Sequence, residues 1–167
     1  MKGILVMNTI EFTSNIKTTA VFSKDRKKRY VLRMEWNDTK PKACIIMTYP
    51  STADEYILDQ TTLLVRNNAI AQGYGSISIV NVFCGLDSVK RETDRTNSSV
   101  LTDECSKADV VLVAYGRGTA HSERKEQLLE ALSPYKEKMY NIIDSSGAPF
   151  SHPLAPKARI WNVKKID

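Results

Sequence analysis

The sequence is poor in the residues from which most metal, redox and nucleophilic sites are made. Its 167 residues include two histidines and three cysteines. Cys44, Cys84 and Cys105 form no CxxC pair, and with His121 and His152 they make no zinc set. An odd number of thiols, two of them in or beside apolar runs, reads instead as reduced cysteine in a cytosolic protein. There is no Gly-x-Ser-x-Gly nucleophile turn and no Gly-x-x-x-x-Gly-Lys-Ser/Thr loop for a nucleoside triphosphate. Gly116 and Gly118 are too few and wrongly spaced for a dinucleotide fingerprint. A protein without resident metal or cofactor is the expectation. The apolar Gly3–Met7 is too short to span a membrane, and no small-residue cleavage site follows it. Internal repeats and low-complexity segments are absent too.

What is present is one core's worth of apolar sequence. At 42% hydrophobic, the chain reads as a single domain over residues 1–167. An N-terminal extension and hairpin take 1–41, an α/β core 42–156, and a basic tail 157–167. The net charge of +5 is unevenly placed. Lys24, Arg26, Lys27, Lys28 and Arg29 stand against Asp25 alone, and Lys157, Arg159, Lys164 and Lys165 crowd the C-terminus. Such patches permit contact with phosphate, although a lysine-rich turn is as readily a solvated surface.

Along the chain, Lys17–Ser23 and Arg29–Trp36 read as a hairpin with a basic tip. Lys42–Thr48 is an apolar run of the kind buried on both faces, and Pro50 ends it by removing a donor and fixing φ. Asp59 stands as an N-cap to a helix in which Leu63, Leu64, Ile70 and Ala71 recur as the inward face before Gly73 stops it. Ile77–Phe83 is a second strand. Residues 87–99 read as a surface loop, followed by a short helix with Leu101, Cys105 and Ala108 on one face. Asp109–Ala114 is a third strand, and Thr119 or Ser122 caps a helix facing Leu128, Leu129 and Leu132 inward. Lys138–Ile143 is a fourth. Strands alternating with helices imply a three-layer α/β/α domain on a central four-stranded parallel sheet, preceded by the hairpin.

In a parallel sheet the strand ends lie side by side, so the loops that follow them open on one edge. That places Tyr49, Asn81, Tyr115 and His152 along a single crevice. Pro50, Ser51 and Phe83 join them as candidate ligand contacts. Asn81 interrupts an apolar strand, where its carboxamide must either tie down a neighbouring loop or read a ligand. Hydroxyls and cations in or near these loops, Ser51, Thr52, Arg117 and Lys157, are the candidates to hold phosphate. Asp54, Asp59 and Asp87 could serve as a general base, but capping and turn hydrogen bonds account for them as well. Trp161 offers stacking surface or burial against the hairpin.

The same residues carry a resemblance. Tyr49 to Asp54, Asp59-Gln60-Thr61, Gly73-Tyr74-Gly75, Val80-Asn81-Val82-Phe83, Tyr115-Gly116 and Gly147 to Leu154 follow one another as in an uncharacterised bacterial and phage family, the domain of unknown function numbered 1643. More remotely, the order of these motifs resembles the uracil-DNA glycosylase superfamily. That second resemblance implies a glycosylase-like fold in which Thr48-Tyr49-Pro50 falls on the water-positioning loop. It puts Asn81 on the base-reading asparagine and His152-Pro153-Leu154 on the loop that stabilises the departing base.

It also implies a chemistry. Cleaving an N-glycosidic bond puts negative charge on the base, so a donor such as His152 would stabilise the leaving group. A flipped base would be read in the pocket while basic surface held the flanking phosphates. Tyr49, however, stands where an acid or amide should orient water, and a phenol does not take a proton from water near neutral pH. Leu154 replaces a serine of the last loop. The expectation is a vestigial glycosylase-like protein that binds nucleic acid (DNA) or a nucleotide, from a phage or mobile element, without ordinary uracil excision. An active hydrolase on a modified base or nucleoside, using Asp54 or Asp59, is the alternative. A decoy for a glycosylase's protein partner or inhibitor is a third reading.

Overall fold

A computed structural model describes residues 8–167, and the apolar Gly3–Met7 lies outside the described residues. The strands are β1 (Lys17–Phe22), β2 (Arg29–Glu35), β3 (Lys42–Met47), β4 (Ser76–Asn81), β5 (Val110–Val113), β6 (Met139–Ile143) and β7 (Asn162–Lys165). The helices are α1 (Gln60–Ala71), α2 (Arg95–Lys107) and α3 (Ser122–Ala131). One sheet takes all seven strands in the order β1-β2-β4-β3-β5-β6-β7. The α/β class is as expected, but the sheet is mixed and seven-stranded where four parallel strands were expected. Strands β4, β3, β5 and β6 run parallel at its centre. The hairpin joins it through β2, antiparallel to β4, and the supposed basic tail supplies β7, antiparallel to β6. A four-residue edge strand reading Asn-Val-Lys-Lys has little apolar signal, and lysines suit an edge because they block pairing with another chain.

The strand order fixes where a ligand can bind. From β3 the chain crosses over α1 to β4 on one side, then over α2 to β5 on the other side of β3, and over α3 to β6. Right-handed crossovers in opposite directions put their helices on opposite faces. Ala43, Ile45 and Met47 accordingly pack with Val65 and Ala69 of α1, while Cys44 and Ile46 pack with Leu101 and Cys105 of α2 and Leu128 of α3. The direction reverses between β3 and β5, and the crevice outside their C-terminal ends is the binding position of such sheets.

Several local expectations need correction. Helix α1 buries Thr62, Val65, Asn68 and Ala69, whereas Leu63 and Ile70 face outward. Gly73 does stop it: at φ +85 it takes the left-handed position, its N–H bonding Ile70 O and that of Tyr74 bonding Ala69 O. Helix α2 begins inside the expected loop, where the Asp94 side chain accepts from Asn97 N, and Ala108 lies just past its end. Neither Thr119 nor Ser122 caps α3; His121 occupies the cap with φ 62 and no side-chain bond to the helix backbone.

Trp161 is buried, with its backbone tied to α1 rather than to the hairpin. Its N–H donates to Asn68 Oδ1 at 2.9 Å, and Asn68 Nδ2 donates to Leu64 O and Arg159 O at 3.0 and 2.8 Å. Asn68 thus clamps the C-terminal segment onto α1. We expect Asn68→Ala to lower the unfolding free energy by about 2–3 kcal/mol, since one buried and two partly buried bonds lose a partner. Amide hydrogen exchange should quicken first over residues 159–165; protection there unchanged from the parent would show that the clamp is not what holds β7.

Candidate functional site

A cavity of about 430 Å³ opens at that crevice. It is lined by Thr48, Tyr49, Pro50 and Ser51 after β3, Asn81 and Lys90 from β4 and its loop, Tyr115, Gly118, Ala120 and His121 after β5, and His152 after β6. Arg29 at the start of β2 and Thr61 and Thr62 of α1 close it. Thr48 Oγ1 donates to Tyr115 O at 2.9 Å, joining the loops on either side of the point where the strand order reverses. Gly116 sits at φ +83 with the site of a Cβ 3.4 Å from His152 Cβ, so the turn after β5 favours glycine on both counts.

Asn81 ends β4 with 1% of its surface exposed, and neither Nδ2 nor Oδ1 meets a hydrogen-bond partner. Its backbone is fixed: Asn97 Nδ2 donates to Asn81 O at 3.1 Å. A buried carboxamide left unpaired costs about 1–3 kcal/mol per group. His152 is also specified. The Leu154 N–H donates to its Nδ1 at 3.1 Å, which leaves the ring proton on Nε2. Burial holds the imidazole below its ordinary range, so it is a neutral N–H donor near pH 7.

The charge at the cavity is of one sign. Arg29, Lys90 and Lys125 line it together with the two histidines, and no Asp or Glu does. Arg29 is 1% exposed; its Nη1 donates to Ala53 O at 2.7 Å and to Ser51 O at 3.2 Å, while Nε has no partner. Burial pushes its guanidinium down to about 10, so it is still charged at neutral pH. Lys125 is buried too, donates to Gly118 O at 2.9 Å, and is pushed below its usual value by desolvation. Tyr49 stacks on Phe83 with ring centres 5.4 Å apart, and its hydroxyl lies 2.6 Å from His121 Nε2. Lys90 Nζ stands 4.7 Å from the centre of the Tyr49 ring.

The structure therefore brings together Tyr49, Pro50, Ser51, Asn81, Tyr115 and His152, with Phe83 behind Tyr49. The other candidates lie elsewhere. Asp59 caps α1 by accepting from Thr62 N at 2.7 Å, and Asp54 accepts from Tyr56 N and Ile57 N, both at 2.8 Å. Neither lines the cavity, nor does Asp87. Of the phosphate candidates only Ser51 does: Thr52 is exposed, Arg117 pairs with Asp144 at 2.6 Å, and Lys157 lies by a separate depression near Trp161. Sequence reasoning placed Arg29 only in the basic patch at the hairpin tip, missed Lys90 and Lys125, and took His121 only as a failed zinc ligand. The usable signal was the i, i+4 spacing of His121 and Lys125 directly after a strand-end loop.

Comparison with known families gives a match to "Protein of unknown function (DUF1643)" over residues 29–154. The chain belongs to that family. The matched stretch runs from Arg29 past His152, so it holds every residue lining the cavity and leaves out β1 and β7. No curated protein and no solved structure matches the chain. Among the described residues no group of His, Cys, Asp and Glu could hold a metal ion, and no helix is long and apolar enough to cross a membrane.

The depressed His152 gives this family member a pH signature. The unfolded imidazole titrates near 6.5 and the folded one lower. On acidification the unfolded chain therefore takes the proton first, and stability present above 6.5 is lost as pH falls through the folded value. Melting temperature should drop from about pH 7 to about pH 5, with a shallower drop in His152→Gln. Nitrogen-15 shifts should report the Nε2–H tautomer in the parent protein; an Nδ1–H tautomer would contradict the assigned donor.

Proposed function

We propose that the chain binds a nucleobase-bearing ligand in this cavity, in the manner of a glycosylase-like protein, without ordinary uracil excision. The observation that carries the reading is Asn81. A carboxamide with a free donor and a free acceptor matches a base edge that presents an acceptor beside a donor, as uracil does with O4 and N3–H. The His152 Nε2–H is a further donor for a base oxygen. The remote resemblance to uracil-DNA glycosylases supports the same roles for Asn81 and His152.

What speaks against excision is the lack of a carboxylate lining the cavity, since Asp54 and Asp59 are committed to a turn and a cap. A second reading, hydrolysis of a modified nucleoside, is favoured by one contact only. His121 stands 2.6 Å from the Tyr49 hydroxyl and could take a proton beside the ligand.

Asn81→Leu separates function from fold, because the two effects have opposite sign. Replacing the unpaired amide by an apolar group of similar size should raise the unfolding free energy by about 1 kcal/mol. The same change should weaken uridine binding, measured by calorimetry, by at least about tenfold. Uridine binding that survives Asn81→Leu would remove the basis of the proposal. Release of base from a panel of modified nucleosides, lost in His121→Ala, would replace it with the second reading.

A further inference from the structure

The cavity carries more positive charge than a neutral base requires. Ion pairs among the described residues engage Lys28, Arg33, Lys107, Arg117 and Lys165 with carboxylates. None involves Arg29, Lys90 or Lys125. Lys90 and Lys125 instead stand over the rings of Tyr49 and Tyr115, at 4.7 and 4.8 Å from their centres. Arg29 spends Nη1 on carbonyl oxygens and leaves Nε unpaired.

Two of the three cations are buried, with Arg29 1% and Lys125 8% exposed. A cation withdrawn from water without a counter-ion is costly, and an anion inside the cavity would offset that cost with charge-assisted hydrogen bonds. The placement matters. Cations meant for the backbone of a long strand belong on an outer face, as those of the β1–β2 turn do, whereas these line the same cavity as Asn81 and His152. Hydroxyls of Ser51, Thr61 and Thr62 stand among them. The volume of about 430 Å³ is of the size that takes a whole small ligand.

We propose that the ligand is a free nucleoside monophosphate, its base toward Asn81 and His152 and its phosphate drawn to Arg29, Lys90 and Lys125. This rests on the base-reading assignment above and adds the phosphate to it.

The test is calorimetry on the full chain at low ionic strength, with uridine 5′-monophosphate, uridine, inorganic phosphate and a uridine-centred trinucleotide as separate titrants. The monophosphate should bind at least about tenfold tighter than uridine, as one charge-assisted contact implies. Lys90→Ala should reduce that margin by about threefold or more and Lys90→Ala with Lys125→Met should abolish it. Lys90 is exposed, so the single variant keeps the test valid should the double variant fail to fold. Equal affinities for monophosphate and uridine would overturn the phosphate assignment and leave base reading intact. Binding of none of the nucleosides or nucleotides would overturn both. A trinucleotide that binds tighter than the monophosphate would overturn the free-ligand proposal in favour of a strand.

Discussion

The buried guanidinium of Arg29 is the constraint on which the site depends. It stands where β2 begins and reaches the backbone of Ser51 and Ala53, in the loop that leaves β3. One side chain thereby ties the start of β2 to the loop after β3 and helps set the path of the segment that carries Tyr49, Pro50 and Ser51. No carboxylate lies within ion-pair distance of it among the described residues, and Asp59 at the α1 cap is the charge that acts on it. Holding the loop through carbonyl oxygens leaves the guanidinium at the cavity wall without a carboxylate in contact with it. The same residue that shapes the site also shares, with Lys90 and Lys125, in its positive sign.

The central strands were legible in the sequence because burial on both faces demands apolar runs: β3 and β5 are nearly continuous ones, and β4 keeps Ile77, Ile79 and Val80 between serines and Asn81. The crevice followed from topology alone, which is why Tyr49, Asn81, Tyr115 and His152 could be placed together across about a hundred residues of sequence. The edges were not legible. Strand β7 needs only Val163 half-buried, so its lysines read as a tail. Helix α1 misled because two of its four buried residues, Thr62 and Asn68, are polar, whereas Leu63 and Ile70 face out. An inward polar residue is visible only through its partners, and apart from Leu64 O in its own helix those of Asn68 are the backbone of Arg159 and Trp161, some ninety residues away.

The cations were missed for a related reason. Composition treats Lys and Arg as surface, and Arg29 reads as the end of the charged run Lys24–Lys28. That run is divided in the structure. Lys28 pairs with Glu92 and Asp94, and Arg26 stacks over Phe22, while Arg29 alone turns inward. Net charge could not reveal this, because a patch that binds phosphate and a patch that is merely solvated have the same composition and differ only in burial and pairing.

The sign of the cavity also bears on catalysis. Breaking an N-glycosidic bond leaves positive charge on the sugar, and an unpaired cation opposes it by about 4 kcal/mol at about 4 Å for an effective dielectric of about 20. Glycosylase chemistry would want a carboxylate there, and this cavity presents Arg29, Lys90 and Lys125. A ligand phosphate would neutralise much of that opposition without supplying an acceptor for the proton of water. The acceptor would then have to be an imidazole. His152 is excluded, since its Nδ1 already accepts from Leu154 and its Nε2 carries the proton. His121 remains, with its Nε2 against the Tyr49 hydroxyl at 2.6 Å. If that nitrogen accepts the phenolic proton, His121 is already engaged and the cavity only binds; if Tyr49 swings off Phe83, the nitrogen is freed for water. On the proposed reading, whether the cavity binds only or also hydrolyses turns on the stacking that holds the Tyr49 ring on Phe83.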